Sequence, residues 1–307
     1  MKHKVIFLTS SDRIEVTVEN SLEVNKDISH KLQTQLSYRT ALSKYRSGSE
    51  FARFSWVTWS VLIVTLAVWW VTAYVAAQAA GVHTISEIIT IIASNAINIQ
   101  DRYNDVISNV LITYGAKDNG LILRGQYWRF VTPIFLHANA LHVGLNMLNF
   151  FVLGIFLERL FGHMRFLLIY LLSGIISIIA SFYFSPQDIS VGASGAIFGL
   201  VGAYSIFVLV HRQAFPRGGI PAMLWLIIII GINLSIGLFV STVDNYAHIG
   251  GLLSGALLGW WFAPLYKLSS TQEMTDMHSL SRRWPLAIVT ILATLVLAII
   301  AVYHTGG

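Results

Sequence analysis

The chain contains no cysteine. That single absence excludes disulfides, thiolate metal sites and a cysteine nucleophile. Charge is almost as scarce: 11% of the residues are Asp, Glu, Lys or Arg, against roughly 25% in an ordinary soluble domain. With 55% hydrophobic residues, such a chain cannot present a charged face to water everywhere, and its class is integral membrane protein. Internal repeats and low-complexity tracts are also lacking, which argues against the inverted-repeat layout of a secondary transporter. The formal charge of +5 is dispersed, and nine basic residues share segment 1–54 with six acids, so the chain predicts no nucleic-acid partner.

What is present is a series of uncharged windows: 54–86, 130–157, 166–187, 189–211, 218–243, 245–266 and 284–307. Each holds the ~20 apolar residues that a spanning helix requires, so seven spans are expected. Segment 1–54 has no apolar core followed by a small-residue cleavage site and reads as no removable signal peptide. Lys and Arg set the orientation. Nine lie in 1–54, and the short loops after spans two to six carry two, zero, two, zero and three. This alternation predicts a cytoplasmic N-terminus and an extracytoplasmic C-terminus, with loops 183–192 and 241–247 outside.

The expected organisation is an N-terminal cytosolic segment or small domain (1–54), a six-helix core (55–266) and a linker (267–283). A seventh span with a short outer tail (284–307) follows. Lys4–Ser10 and Ile14–Glu19 alternate like short strands, and Ile28–Tyr45 reads as a helix; a flexible arm is the alternative. The outer loop 81–140 is too long for an ordinary connection and should carry structure of its own. Within it, Ile85–Ile99 resembles an interfacial helix.

Polar residues inside apolar windows are costly and point to function. Ser194, in Gly192-Ala193-Ser194-Gly195, lies 18 residues before Arg212, and His248 lies 19 before Lys267. At ~1.5 Å per residue, both stand about 27–28 Å above charged ends. His142 and Asn146, four apart on one helical face, stand 16 and 12 residues before Glu158. Three windows thus place polar groups in the outer leaflet. A serine hydroxyl beside a neutral histidine suits acyl transfer. His142, Asn146 and the backbone N–H of Ser194 could supply oxyanion donors. Gly192 and Gly195 clear space where loop and helix approach, and Gly195/Gly199 with Gly251/Gly255/Gly259 are spaced for close helix contact. Trp128 reads as an interfacial anchor and Arg129 as a structural donor. His137 reads as structural, and Glu158-Arg159 as an ion pair or cap at the cytoplasmic side. Asp244, one turn before His248, invites a triad reading.

Over about residues 110–262 the sequence resembles the rhomboid intramembrane serine proteases. The likeness includes Trp128-Arg129, His137 with His142 and Asn146, Glu158-Arg159, Gly192-Ala193-Ser194-Gly195 and Ala247-His248-Ile249-Gly250-Gly251. It implies an all-α, rhomboid-like six-helix bundle with one additional C-terminal helix. It also implies a dyad of Ser194 and His248 without an acid, oxyanion roles for His142 and Asn146, and Phe198 packed on the histidine. The implied activity is endoproteolysis of a transmembrane substrate, single-pass, near its extracytoplasmic end, with no cofactor or metal. The simple layout and the positive-inside pattern point to a bacterial inner membrane, with an organellar membrane as the alternative; oligomeric state is left open. Two other readings stand beside it, a transporter and a catalytically dead relative that binds transmembrane clients. Ala193, where such dead relatives carry proline, favours activity.

Overall fold

The computed structural model describes residues 4–8, 13–17, 54–82, 84, 86, 101–212, 215–221, 223–228, 243–268 and 274–306. Two antiparallel strands, β1 (Lys4–Leu8) and β2 (Arg13–Thr17), form a hairpin. The helices are α1 (Trp56–Ala79), α2 (Asp101–Tyr114), α3 (Asn119–Leu123), α4 (Ala140–Phe161), α5 (His163–Phe184), α6 (Ser194–Val210), α7 (Asn245–Phe262) and α8 (Leu280–Gly306). A second hairpin, β3 (Tyr266–Leu268) with β4 (Met274–Asp276), precedes α8. The expected helix at 28–45, the interfacial helix at 85–99 and most of the fifth span at 218–243 lie outside the described residues.

Among the described residues, α1, α4, α5 and α8 are long and apolar enough to cross a membrane. The protein is an all-α integral membrane protein with small hairpins attached. α5 is the central element: 61% of its most apolar window is buried, against 17% for α8 at the periphery. The main core joins Phe150, Phe166, Ile169, Tyr170, Leu200 and Phe207 from α4, α5 and α6. α8 packs Ala301 against Ile178, Ile179 and Phe182 of α5.

Helix contact in lipid depends on close backbone approach, and the α6–α7 contact shows why glycine is needed. A Cβ at Gly251 would fall on the Gly195 backbone, and one at Gly255 on the Gly199 backbone. At Gly259 it would stand 2.6 Å from Ala203 Cα. On the opposite side of α6, Gly195 and Gly199 face Ser177 and Ser173 of α5. These serines turn their hydroxyls back to Gly174 O (2.7 Å) and Ile169 O (2.6 Å), leaving no donor loose in the seam.

α1 and α4 are joined differently. The buried Glu158 carboxylate at the end of α4 accepts from the backbone N–H groups of Val57 (3.0 Å) and Thr58 (2.7 Å) and from Thr58 Oγ1 (2.6 Å). A carboxylate at a helix N-terminus meets free N–H groups and the positive end of the dipole. Its other partner is His163 Nδ1 at 2.5 Å. Arg159 is exposed, so of the two expected roles Glu158 takes the cap, and it caps a different helix.

Several boundaries differ from expectation. The second window, read as 130–157, forms its helix at Ala140–Phe161. Residues 127–130 and 132–135 are short 3-10 turns instead. Pro133 lacks a backbone donor, and Asn139 restarts the helix by accepting from His142 N at 2.8 Å. The segment 267–283, read as a plain linker, contains parts of the β3–β4 hairpin. It is anchored to the bundle by an ion pair of Asp276 with Arg165 and by Tyr266 N–H donating to His211 Nε2 (3.1 Å). The long loop holds the unexpected α2, whose end is clamped by Arg129. Its Nη1 donates to Ile112 O and Ala116 O, both at 2.7 Å, and its Nε to Gln126 Oε1 at 2.8 Å.

Candidate active site

α6 has only 17 residues, about 26 Å at ~1.5 Å per residue, short of the ~30 Å hydrocarbon core. Its first residue is Ser194, reached by the non-helical segment 191–193. Irregular backbone at such depth is tolerated only where protein satisfies it, and here it does. Ser190 pairs with Lys117, Gly192 N–H donates to Pro133 O (2.8 Å), and Ala193 N–H donates to His137 Nε2 (3.3 Å). Gly192 has φ +122°, a conformation open to glycine at little cost.

Across the glycine seam, His248 Nε2 lies 2.8 Å from Ser194 Oγ. The imidazole stacks on Phe198 with ring centroids 4.5 Å apart and an interplanar angle of 16°. Ser194 and Phe198 are one turn apart on α6, so the same helix face that carries the hydroxyl also fixes the ring. His248 Nδ1 is buried without a partner among the described residues. Asp244 does not reach it: its Oδ1 accepts from Ala247 N–H at 3.0 Å, capping α7, and Oδ2 is unpartnered among the described residues. The pair therefore stands without a hydrogen-bonded acid, and the triad reading is not supported.

α4 closes the third side. A methyl at Gly192 would lie 2.7 Å from His142 Nε2 and 3.9 Å from Asn146 Nδ2, so both side chains stand beside Gly192, two residues before Ser194. Asn146 donates one amide hydrogen to His142 O at 3.0 Å and retains a second. His137 lies behind His142, ring centroids 5.0 Å apart. Burial, with His142 adding, drives its pKa down to about 3. The ring is therefore neutral, with Nε2 free to accept from Ala193. Trp128 is exposed (56%) and Arg129, in the turn 127–130, spends its guanidinium on the end of α2, so neither is hydrogen-bonded to the Ser194–His248 pair. Glu158 and Arg159 belong to the opposite end of the bundle. A small apolar cavity between Trp69 and Ala77 of α1 and Val106 and Leu111 of α2 reaches His137, and neither Ser194 nor His248 lines it. No group of acids and histidines suited to hold a metal occurs among the described residues.

Residues 124–265 match the family model for the rhomboid domain. That stretch, just under half of the chain, is similar to the rhomboid family. It is 47% identical over 148 residues to Rhomboid protease GluP of Bacillus subtilis, covering 48% of this chain and 28% of that protein. It is 44% identical over 149 residues to RHOMBOID-like protein 1 of Arabidopsis thaliana, covering 48% and 38%. With Rhomboid protease AarA of Providencia stuartii it shares 35% over 176 residues, covering 48% and 60%. The matches thus span less than two thirds of these relatives. The family-model match, residues 124–265, encloses Ser194, His248, His142 and Asn146 and leaves α1, β1–β2 and α8 outside it. Lys117, which grips the loop before Ser194, also falls outside that domain and was missed as a site residue. Nothing in its local sequence sets it apart from an ordinary loop lysine.

Proposed function

We propose that this protein is a rhomboid-family intramembrane serine endopeptidase that cleaves transmembrane segments by a Ser194–His248 dyad. The observation that carries the reading is the 2.8 Å contact of Ser194 Oγ with His248 Nε2 at the half-buried start of a helix. His248 accepts the Ser194 proton as Oγ attacks the substrate carbonyl, and later gives it to the leaving amine. Phe198 holds the ring in plane through both transfers. The tetrahedral oxyanion is met by the Ser194 N–H, the spare amide hydrogen of Asn146 and, with its proton on Nε2, His142. The acyl-enzyme is then released by water.

The substrate is a membrane protein, single-pass in the simplest case. A helix shields its carbonyls, so the segment has to unwind locally, and helix-weakening residues near the cut favour cleavage. The narrow space between Gly192 and His142 favours a small residue before the scissile bond. The basic-residue alternation supports a cytoplasmic N-terminus and a cut near the extracytoplasmic side, in a membrane such as the bacterial inner membrane.

Fluorophosphonate labelling of the purified protein in mild detergent tests the assignment. Wild type is expected to label, while Ser194→Ala and His248→Ala lose labelling with unchanged thermal midpoints. Equal labelling of all three would remove Ser194 as the nucleophile. A folded wild type that fails to label, beside a serine hydrolase that labels in the same detergent, would favour client binding without cleavage.

A further inference from the structure

We propose that Lys117 is a positioning residue for the segment that carries Ser194, an inference that rests on the serine-hydrolase reading of the site. Lys117 has no exposed surface, although it lies in the loop between α2 and α3. Its ammonium donates to Ser185 O at 2.5 Å and to Asp188 O at 2.8 Å. Its backbone exchanges both hydrogen bonds with Ser190, N–H to O at 3.0 Å and O from N–H at 3.3 Å. One residue thus fastens three points of the α5–α6 connection, the last of them four residues before Ser194. Ser185 is the C-cap of α5, where a cation meets the negative end of the helix dipole. Ser185 Oγ donates to Asp188 Oδ2 at 2.9 Å, closing the turn around the ammonium.

A buried cation is an expensive way to satisfy two carbonyls; a neutral hydroxyl or amide donor would do so at lower cost. What the charge adds is strength, since charge-assisted hydrogen bonds are about twice as strong as neutral ones. Three carboxylates bear on it: Asp118 beside it in sequence, Asp188 in the gripped turn and Asp244 at the N-cap of α7. Asp244 caps the helix that carries His248, one turn before it. Burial outweighs these carboxylates and lowers the lysine to about 8.

The sign of the pH effect separates positioning from plain stability. The folded pKa lies below the unfolded value of 10.5, so between about pH 8 and 10.5 the unfolded chain binds more protons. Stability from this group therefore rises with pH across that window. The grip on the serine segment weakens across the same window. Alkaline unfolding would instead lower stability and reactivity together.

The test measures the rate of fluorophosphonate labelling of the full-length protein from pH 6 to 10, with thermal midpoints, for wild type, Lys117→Arg and Lys117→Met. Labelling of wild type should fall above about pH 8, and the fall should move up by at least one unit in Lys117→Arg. Lys117→Met should label about tenfold more slowly at pH 7.5 and lose that limb. Hydrogen exchange of amides 186–194 should be about tenfold faster in Lys117→Met. An unchanged limb in Lys117→Arg, or wild-type labelling in Lys117→Met, would overturn the proposal. If Lys117→Met does not fold, the Lys117→Arg profile decides. If wild type never labels, the hydrolase reading has failed, and exchange at 186–194 alone decides whether Lys117 holds the segment.

Discussion

The two ends of the helix bundle both gather titratable side chains, but they use them differently. At the Glu158 end the groups are saturated. Both Glu158 oxygens accept two hydrogen bonds each, Asp276 binds Arg165 and two backbone N–H groups, and both His211 nitrogens are engaged. Ser55 Oγ is an unpartnered exception there. At the Ser194 end, His248 Nδ1 and Asp244 Oδ2 are buried without partners among the described residues. Buried polar groups are ordinarily satisfied, and those that are not mark where capacity has been kept for something else. One end is a set of latches, and the other has groups in reserve.

Substitutions can break this contrast, beginning with the element that creates the Ser194 end. Gly255→Val places a side chain on the Gly199 backbone and should separate α6 from α7. Overpacking of that kind costs about 3 kcal/mol or more, read as a lowered thermal midpoint, and labelling of Ser194 should vanish with it. A valine variant with wild-type labelling would show that the dyad does not depend on the glycine seam. Asn146→Ala should leave the midpoint unchanged while lowering turnover of a transmembrane substrate by about 10²–10³, the usual worth of one oxyanion donor. Wild-type turnover would return Asn146 to a structural role.

The saturated end should answer in the opposite way. Glu158→Gln cannot accept all four hydrogen bonds, because its amide nitrogen is a donor. Breaking up such a buried carboxylate cluster should cost about 3 kcal/mol on thermal unfolding. Labelling of the protein that remains folded should proceed at the wild-type rate. If labelling slowed in proportion to the loss of stability, the two ends would be coupled and the contrast drawn here would fail.

Much of this was legible in the residues. The windows around α1, α5, α6, α7 and α8 announce themselves because an uncharged run has few alternatives to a spanning helix. Ser194 and His248 could be matched in height from their distances to Arg212 and Lys267, since helical rise is nearly constant. The glycines four apart are consistent with the close approach of α6 and α7, although ordinary helix-dimer faces carry the same spacing. Other features were hidden. The start of α4 was placed ten residues early because apolar residues 130–139 resemble span. There the short turns around Pro133 and the Asn139 cap decided the boundary, not hydropathy. The β3–β4 hairpin is held by Asp276–Arg165, a pair 111 residues apart, and the end of α2 by Arg129, whose two carbonyl partners lie outside its own turn and leave no local trace.

Composition and periodicity by themselves determined the membrane class, the helical content and the polar cluster that suggests chemistry. These are properties of single elements, set by the cost of placing charge and unpaired backbone in lipid. Only the tertiary structure decided that His248 faces Ser194 without Asp244, that Glu158 caps α1, and that Lys117 grips the segment before the serine. Each of these is a contact between distant residues. Its energy depends on distance, burial and the number of partners already taken, which no local pattern encodes.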